Sequence, residues 1–373
     1  MNGLFIGPYR QNDGWGMASR DYIKAISTQI PNLTTRPVYF INNVTDVSKQ
    51  ISQYESSRYK NYDIVFQKTL PHCIAPNKTI KKNVGLFVLE TNDLSKSMCI
   101  NNLNNIDEIC VPSKQEAKCL SISGVTTPVK VVSEPIDVEF YHKNKEHKIS
   151  FSPKIDKTFK FYSIGEFIER KNLLDLVAAF HLAFKSTDNV SLVLKTNRPG
   201  LNPKQSLDYV KQQITEIKKQ LNISNQYQSE IIITDRLSDE DMVGLHNACD
   251  CFVMPSYGES FCRPAAEALI LGNTPIVTDH TGMIDFINND NGYIINSKKH
   301  PVMLKERTLS NEFDIYNAHE YWFQPNIYSL IEAMRNVYTM SKKDRKKYEQ
   351  KKQIGIDSYE QFTYETVGKK ICT

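Results

Sequence analysis

Pro255-Ser-Tyr-Gly-Glu259-Ser-Phe-Cys-Arg-Pro-Ala-Ala-Glu267-Ala-Leu-Ile-Leu-Gly-Asn-Thr-Pro-Ile-Val277 is the stretch on which the fold reading turns. It follows an apolar run, Cys251 to Met254, that reads as the end of a buried strand. Pro264 suits the first turn of a helix, and Ala265 to Leu271 carries an apolar face. Pro275-Ile-Val277 then begins a second strand. Strand, loop, helix and strand form a βαβ unit, which implies a parallel sheet. Two carboxylates, Glu259 in the loop and Glu267 in the helix, share the helix's N-terminal region. Backbone N–H groups at Phe261, Cys262 and Arg263 would point at the same space, a ready anion site.

The same rhythm recurs on both sides of this stretch. Toward the N-terminus, strands are expected at Gly3–Gly7, Arg36–Ile41, Ile64–Gln67, Val84–Leu89, Ile109–Val111 and Val129–Val132. In the second half they are expected at Phe159–Ile164, Val190–Lys195, Glu230–Thr234, Cys251–Met254, Pro275–Thr278 and Tyr293–Ile295. The polar, Lys-rich segment His142 to Lys157, interrupted by Pro153, reads as the boundary between two halves. The expected domains are therefore 1–150 and 151–352, with 353–373 packing back on the first. Ser297 to Gln324 breaks the rhythm and reads as an insertion with mobile loops.

Composition bounds the function. A chain of 373 residues is long for one core, and 40% hydrophobic with 24% charged residues is ordinary for a globular protein. A net charge of +4 is too small to imply nucleic acid, yet it suits an anionic ligand or membrane head groups. No apolar run approaches the roughly 20 residues that span a bilayer, and the N-terminus enters a strand directly, so a cytoplasmic location is expected. The eight cysteines are scattered, and Cys249-x-Cys251 has no second pair to complete a metal site. They read as reduced core thiols, and no metal or cofactor is expected. The basic stretch Lys342 to Lys352 reads as a solvated helix face, with peripheral contact at the inner membrane surface as its other reading.

Three further places carry chemistry. Gly14-Trp-Gly16 sits between a strand and a helix, in outline a phosphate-binding turn, although the dinucleotide fingerprint is absent because Ser19 stands at its third glycine. Arg170 and Lys171 lie where a strand meets a helix N-terminus; the helix dipole would favour acids there, so two cations imply an anionic partner. Glu90 ends a strand segment, where open α/β sheets place their ligands; a helix-start acid capped by Asn92 or Asp93 is the other reading.

Taken together, these motifs resemble the GT-B-fold retaining glycosyltransferases of group 1, family 4. The likeness rests on Glu259-x7-Glu267 in its Pro-Ser … Gly-x-x-Pro setting, Gly165 to Asn172, Asp250-Cys-Phe-Val-Met-Pro-Ser256, Asp290-Asn-Gly-Tyr293 and Phe362-Thr-Tyr-Glu-Thr. Weaker matches in the first half are Val111-Pro-Ser113, Ser123-Gly-Val125 and Pro135-Ile-Asp137. The resemblance implies an α/β chain of two Rossmann-like, doubly wound domains facing a cleft, with the C-terminal helix crossing back. It implies transfer of a hexose-type sugar from a UDP- or GDP-linked donor to a hydroxyl of a glycan, lipid-linked or protein acceptor, without a metal. Glu267 would hold the ribose hydroxyls and Glu259 the sugar. Lys171 and Arg170 would neutralise the diphosphate, with the amides of Phe261, Cys262 and Arg263 and the Gly14–Gly16 loop completing the cradle. Glu90 would stand where the family often has a catalytic His, and Glu166 where it has an Arg. The Glu166 departure keeps a degenerate sugar-nucleotide binder in view; a GT-B sugar-nucleotide epimerase is a third reading.

Overall fold

The structure is a computed structural model of the chain; it describes residues 1–373 except 41–43, 57, 60, 96, 224–226, 304–315 and 317. The chain divides into two compact units, Met1–Val138 with Glu360–Thr373, and Glu139–Tyr359.

The first unit alternates strands and helices: Asn2–Gly7 (β1), Gly14–Ser27 (α1), Asn32–Pro37 (β2), Lys49–Ser56 (α2), Ile64–Lys68 (β3), Lys82–Leu86 (β4), Cys99–Leu103 (α3), Glu108–Val111 (β5), Lys114–Ile122 (α4) and Val129–Val131 (β6). The strands pair in parallel in the order β2-β1-β3-β4-β5-β6. β2 lies earlier than the Arg36–Ile41 expected from its apolar run. Thr34 and Thr35 take the buried positions of this edge strand, whereas Tyr39 is exposed; residue 41 lies outside the described residues. Ser113 caps α4 with its hydroxyl on the Glu116 amide, and the Glu116 carboxylate returns to the Ser113 amide at 3.2 Å, completing the capping box.

The second unit follows Val138–Lys143 (α5). It contains Phe159–Ile164 (β7), Leu173–Ala183 (α6), Val190–Lys195 (β8), Pro203–Leu221 (α7), Glu230–Ile233 (β9), Asp239–Ala248 (α8), Cys251–Met254 (β10), Arg263–Ile270 (α9), Ile276–Thr278 (β11) and Tyr293–Ile295 (β12). Its parallel sheet runs β12-β11-β10-β7-β8-β9. Every residue of β7 and of β10 is buried, which is why β10 appears in the sequence as an unbroken apolar run and β7 as one interrupted only by Lys160 and Ser163. Phe161, Phe180, Leu192, Val253 and Met334 lie in the core between this sheet and its helices.

Two boundaries differ from the sequence reading. The Lys-rich segment is not a free linker: Ile149 N–H donates to Gly244 O at 3.2 Å, and Asn247 Nδ2 donates to His147 O at 2.8 Å. These bonds strap it onto α8, so the division falls at Val138 and not at 150. The rhythm-breaking region contributes Ser297–Pro301 (β13) and Tyr321–Pro325 (β14), which pair antiparallel; the loop expected between them falls on 304–315 and 317, outside the described residues.

Ile327–Lys343 (α10) and Arg345–Asp357 (α11) close the second unit. The basic stretch is divided between them by Asp344, whose side chain caps α11 through the Lys347 amide. Lys351 is not solvated. It is buried against the Asn289 and Gly292 carbonyls, with its ammonium 4.9 Å from the centre of the Tyr293 ring.

Tyr364–Cys372 (α12) belongs to the first unit and packs along α1. Val367 and Ile371 enter the core beside Tyr22 and Ile26. The Tyr364 hydroxyl donates to Asp21 Oδ1 at 2.5 Å and accepts from Lys24 Nζ at 3.1 Å. The approach is close at Gly368, where an added Cβ would sit 2.1 Å from Ala25 O. Gly368→Ala must therefore push the helices apart, and overpacking of this kind costs about 1–3 kcal/mol. Denaturant unfolding of the variant should show that loss, together with faster proteolytic removal of the C-terminal residues.

Candidate active site

The site is built in the second unit from three loops at the carboxyl ends of β7, β10 and β11. After β7, a single helical turn at Glu169–Lys171 leads to Asn172, which adopts the left-handed conformation (φ 57°). Asn tolerates this region better than most residues. Its amide Nδ2 donates to Pro255 O at 3.1 Å, and Tyr257 N–H donates to Arg170 O at 2.8 Å. Two bonds thus sew the Arg170-Lys171 turn to the loop that carries Glu259.

That registration brings three charges together. Glu259 is 6% exposed and accepts from Lys171 Nζ at 2.5 Å and from Arg170 Nη1 at 3.1 Å. Burial pushes the Glu259 carboxyl up, but the two cations outweigh it and hold the carboxyl below its ordinary value. Arg170 also donates to Gly258 O at 2.8 Å, so its guanidinium braces the loop backbone as well as the carboxylate. The anionic partner expected for this cation pair is present inside the chain, and it is Glu259.

The loop ends at Cys262, which also has a left-handed backbone (φ 63°) before α9 begins. A non-glycine residue held there costs roughly 1–3 kcal/mol and turns the following amides sharply. Its thiol is pushed up to about 12, first by burial and then by the Glu259 charge, so it is not a nucleophile at neutral pH. Phe261 packs on Phe286 at 5.1 Å between ring centres.

One turn into α9, Glu267 is 4% exposed. Arg263 Nε donates to its Oε1 at 2.9 Å, and His246 Nε2 lies 3.4 Å from its Oε2, long for a hydrogen bond. Burial pushes the carboxyl up, but His246, Arg263 and Tyr141 prevail and hold it at about 2. The Arg263 side chain is thus engaged with Glu267, four residues on.

The ribbon β13–β14 buttresses the same loop. Phe323 N–H donates to Tyr257 O at 2.9 Å, and the Tyr257 ring stacks on Trp322 (interplanar angle 6°) and on His300 (22°). No stretch of sequence announces this support, because pairing between distant short strands leaves no local signal.

The remaining sequence candidates lie in the first unit. Gly16 is needed for packing: an added Cβ would sit 1.9 Å from Gln11 O. Its amide donates to Asp13 Oδ1 at 2.9 Å, so a carboxylate of the chain already occupies the anion position at the start of α1. Gly14 has open space around its Cβ position. Glu90 is half-buried in the segment that follows β4. Asp93 has φ 82° and accepts the Ser95 amide at 3.0 Å, so it forms a local turn and does not cap α3.

The sequence reading also missed a buried chain of polar groups behind Glu267, made by Tyr162, His246 and Asn273. Tyr162 and His246 are both fully buried, and a tyrosine and a histidine inside an apolar strand and an apolar helix face are the signal that could have found them.

Residues 144–310, which contain Arg170, Lys171, Glu259 and Glu267, match the family described as glycosyl transferases group 1. Over that segment, just under half of its length, the chain is similar to this family. Over 80 residues it is 31% identical to the serotype-specific mannosyltransferase WbdA of Escherichia coli; the match covers 21% of this chain and 10% of WbdA, so the chain spans about a tenth of the curated relative it matches. Its fold is similar to that of sucrose-phosphate synthase from Thermosynechococcus elongatus, with a TM-score of 0.66 at 12% identity over 100% of this chain and 98% of the other. It is likewise similar to Anabaena HepE in complex with UDP-glucose, with a TM-score of 0.62 at 15% identity over the same shares. These are GT-B structures, and the two six-stranded parallel sheets of this chain are of that type.

Proposed function

We propose that the chain is a retaining glycosyltransferase that moves a hexose-type sugar from a UDP- or GDP-linked donor to a hydroxyl acceptor, without a metal ion. The observation that carries the proposal is the buried Glu259 held by Lys171 and Arg170 within the segment that matches the family. The UDP-glucose bound by the Anabaena neighbour makes uridine donors the first to try.

In this reading Glu267 accepts hydrogen bonds from the ribose and Glu259 faces the sugar. As the glycosidic C–O bond breaks, its electron pair leaves with the diphosphate and positive charge grows on the sugar ring. A carboxylate held ionised beside that ring stabilises the ring charge, and the Lys171 ammonium stabilises the leaving group. The acceptor oxygen bonds to the same face, and its proton passes to the leaving phosphate. The acceptor in this reading is a glycan, lipid-linked or protein hydroxyl.

The test is a panel of UDP- and GDP-sugars, scored for released nucleotide with and without excess chelator. Release from at least one donor, undiminished by chelator, is expected. Nucleotide binding with no release from any donor would favour a catalytically inactive binder. Lys171→Ala should raise the donor KM, because a hydrogen bond to a charged group contributes roughly 1.5–3 kcal/mol, about 10- to 150-fold.

A further inference from the structure

We infer that His246 is a positioning residue for Glu267, fixed by Tyr162 and Asn273 in the tautomer that carries its proton on Nε2. The inference rests on the proposed function for its consequence in donor binding, but its hydrogen-bond logic stands on the structure alone.

Asn273 Nδ2 donates to the Tyr162 hydroxyl oxygen at 2.9 Å and to His246 O at 2.9 Å, so one side chain clamps both partners. Tyr162 Oη lies 2.6 Å from His246 Nδ1. Tyr162 is fully buried, and burial raises its hydroxyl well above the ordinary value, so the O–H stays on. With its oxygen accepting from Asn273, the buried O–H has His246 Nδ1 as its acceptor, and leaving it unmade would strand a buried donor without compensation for its lost water. Nδ1 must then be unprotonated, and a neutral imidazole carries its proton on Nε2. Nε2 is buried and makes no hydrogen bond, and it lies 3.4 Å from Glu267 Oε2.

The carboxylate is therefore held on one oxygen by Arg263 and backed on the other by an N–H that a small movement would engage. When a ribose draws on the carboxylate, the His246 N–H can keep its plane fixed. His246 acts through Glu267 and does not touch the donor.

Two measurements test this. Long-range ¹⁵N spectra of the imidazole, with the His246 signal assigned by its loss in His246→Gln, should show the Nε2–H tautomer at pH 7.5. A ring protonated on Nδ1, alone or as the imidazolium, overturns the assignment and needs no donor to do so. Calorimetry with UDP and GDP gives the second readout. His246→Phe should weaken nucleotide binding about tenfold or more, and His246→Gln, whose amide N–H reaches the Nε2 position, should largely restore it. In a Glu267→Gln background His246→Phe should add nothing further. Equal binding by His246→Phe and wild type, or additive losses in the double variant, overturns the positioning role. Wild type that binds neither nucleotide would instead count against the proposed function, while the tautomer result still stands or falls by itself.

Discussion

Glu259→Gln should lower kcat by about 10²–10³-fold with little change in nucleotide affinity, the size of effect seen when one preorganised electrostatic contact to a transition state is removed. The substitution keeps the shape and removes the charge. The neutral amide still accepts from Lys171 and Arg170, so the loop should hold its position. What is lost is the negative charge that faces developing positive charge on the sugar, an interaction stronger in the transition state than in the ground state. Nucleotide affinity rests on Glu267 and Lys171 and should survive. Steady-state transfer and nucleotide calorimetry on one preparation separate the two effects. A Glu259→Gln enzyme of full activity would remove Glu259 from the chemistry.

Glu267→Gln should make stability less dependent on pH in the acid range and lower it at neutral pH. Glu267 is buried, and its carboxyl is held at about 2 against an ordinary 4.5. A carboxyl depressed in the folded state contributes stability above its unfolded value, and that contribution is lost as pH falls through the folded one. The window is therefore from near 4.5 down to about 2, and the contribution at pH 7 is about 3 kcal/mol. Urea unfolding at pH 7, 4 and 3 should show the wild type losing more stability on acidification than the variant. Parallel curves would mean that Arg263 and His246 do not hold the ionised carboxylate as the geometry indicates.

Much of the second unit was legible because its central strands are buried on both faces. β7, β8 and β10 have the limits expected of them, and so does the half-buried edge strand β12. Legibility failed where a buried position is polar or where a partner is distant. Thr34 and Thr35 hid the true β2, and the Ser-Lys-Lys-His-Pro run of β13 carries no apolar pattern until it pairs with β14. At the site, residue types pointed to anion chemistry at Lys171 and Glu259. That the two meet, 88 residues apart in sequence, needed the Asn172–Pro255 and Tyr257–Arg170 bonds. A helix-start glycine pair suggested a phosphate cradle at Gly14–Gly16, yet Asp13 fills that role locally. Short motifs report the residue types a site uses; they do not report which of those residues neutralise one another.

The proposed chemistry requires the second unit to hold a sugar nucleotide through Glu267 and Lys171. Titration of the wild-type chain with UDP and with GDP, repeated on Glu267→Ala and Lys171→Ala, decides whether it does. Saturable binding of one nucleotide by the wild type, weakened at least tenfold in each variant, is expected. No binding of either nucleotide, or binding that both variants retain in full, would rule out a nucleotide site at these residues.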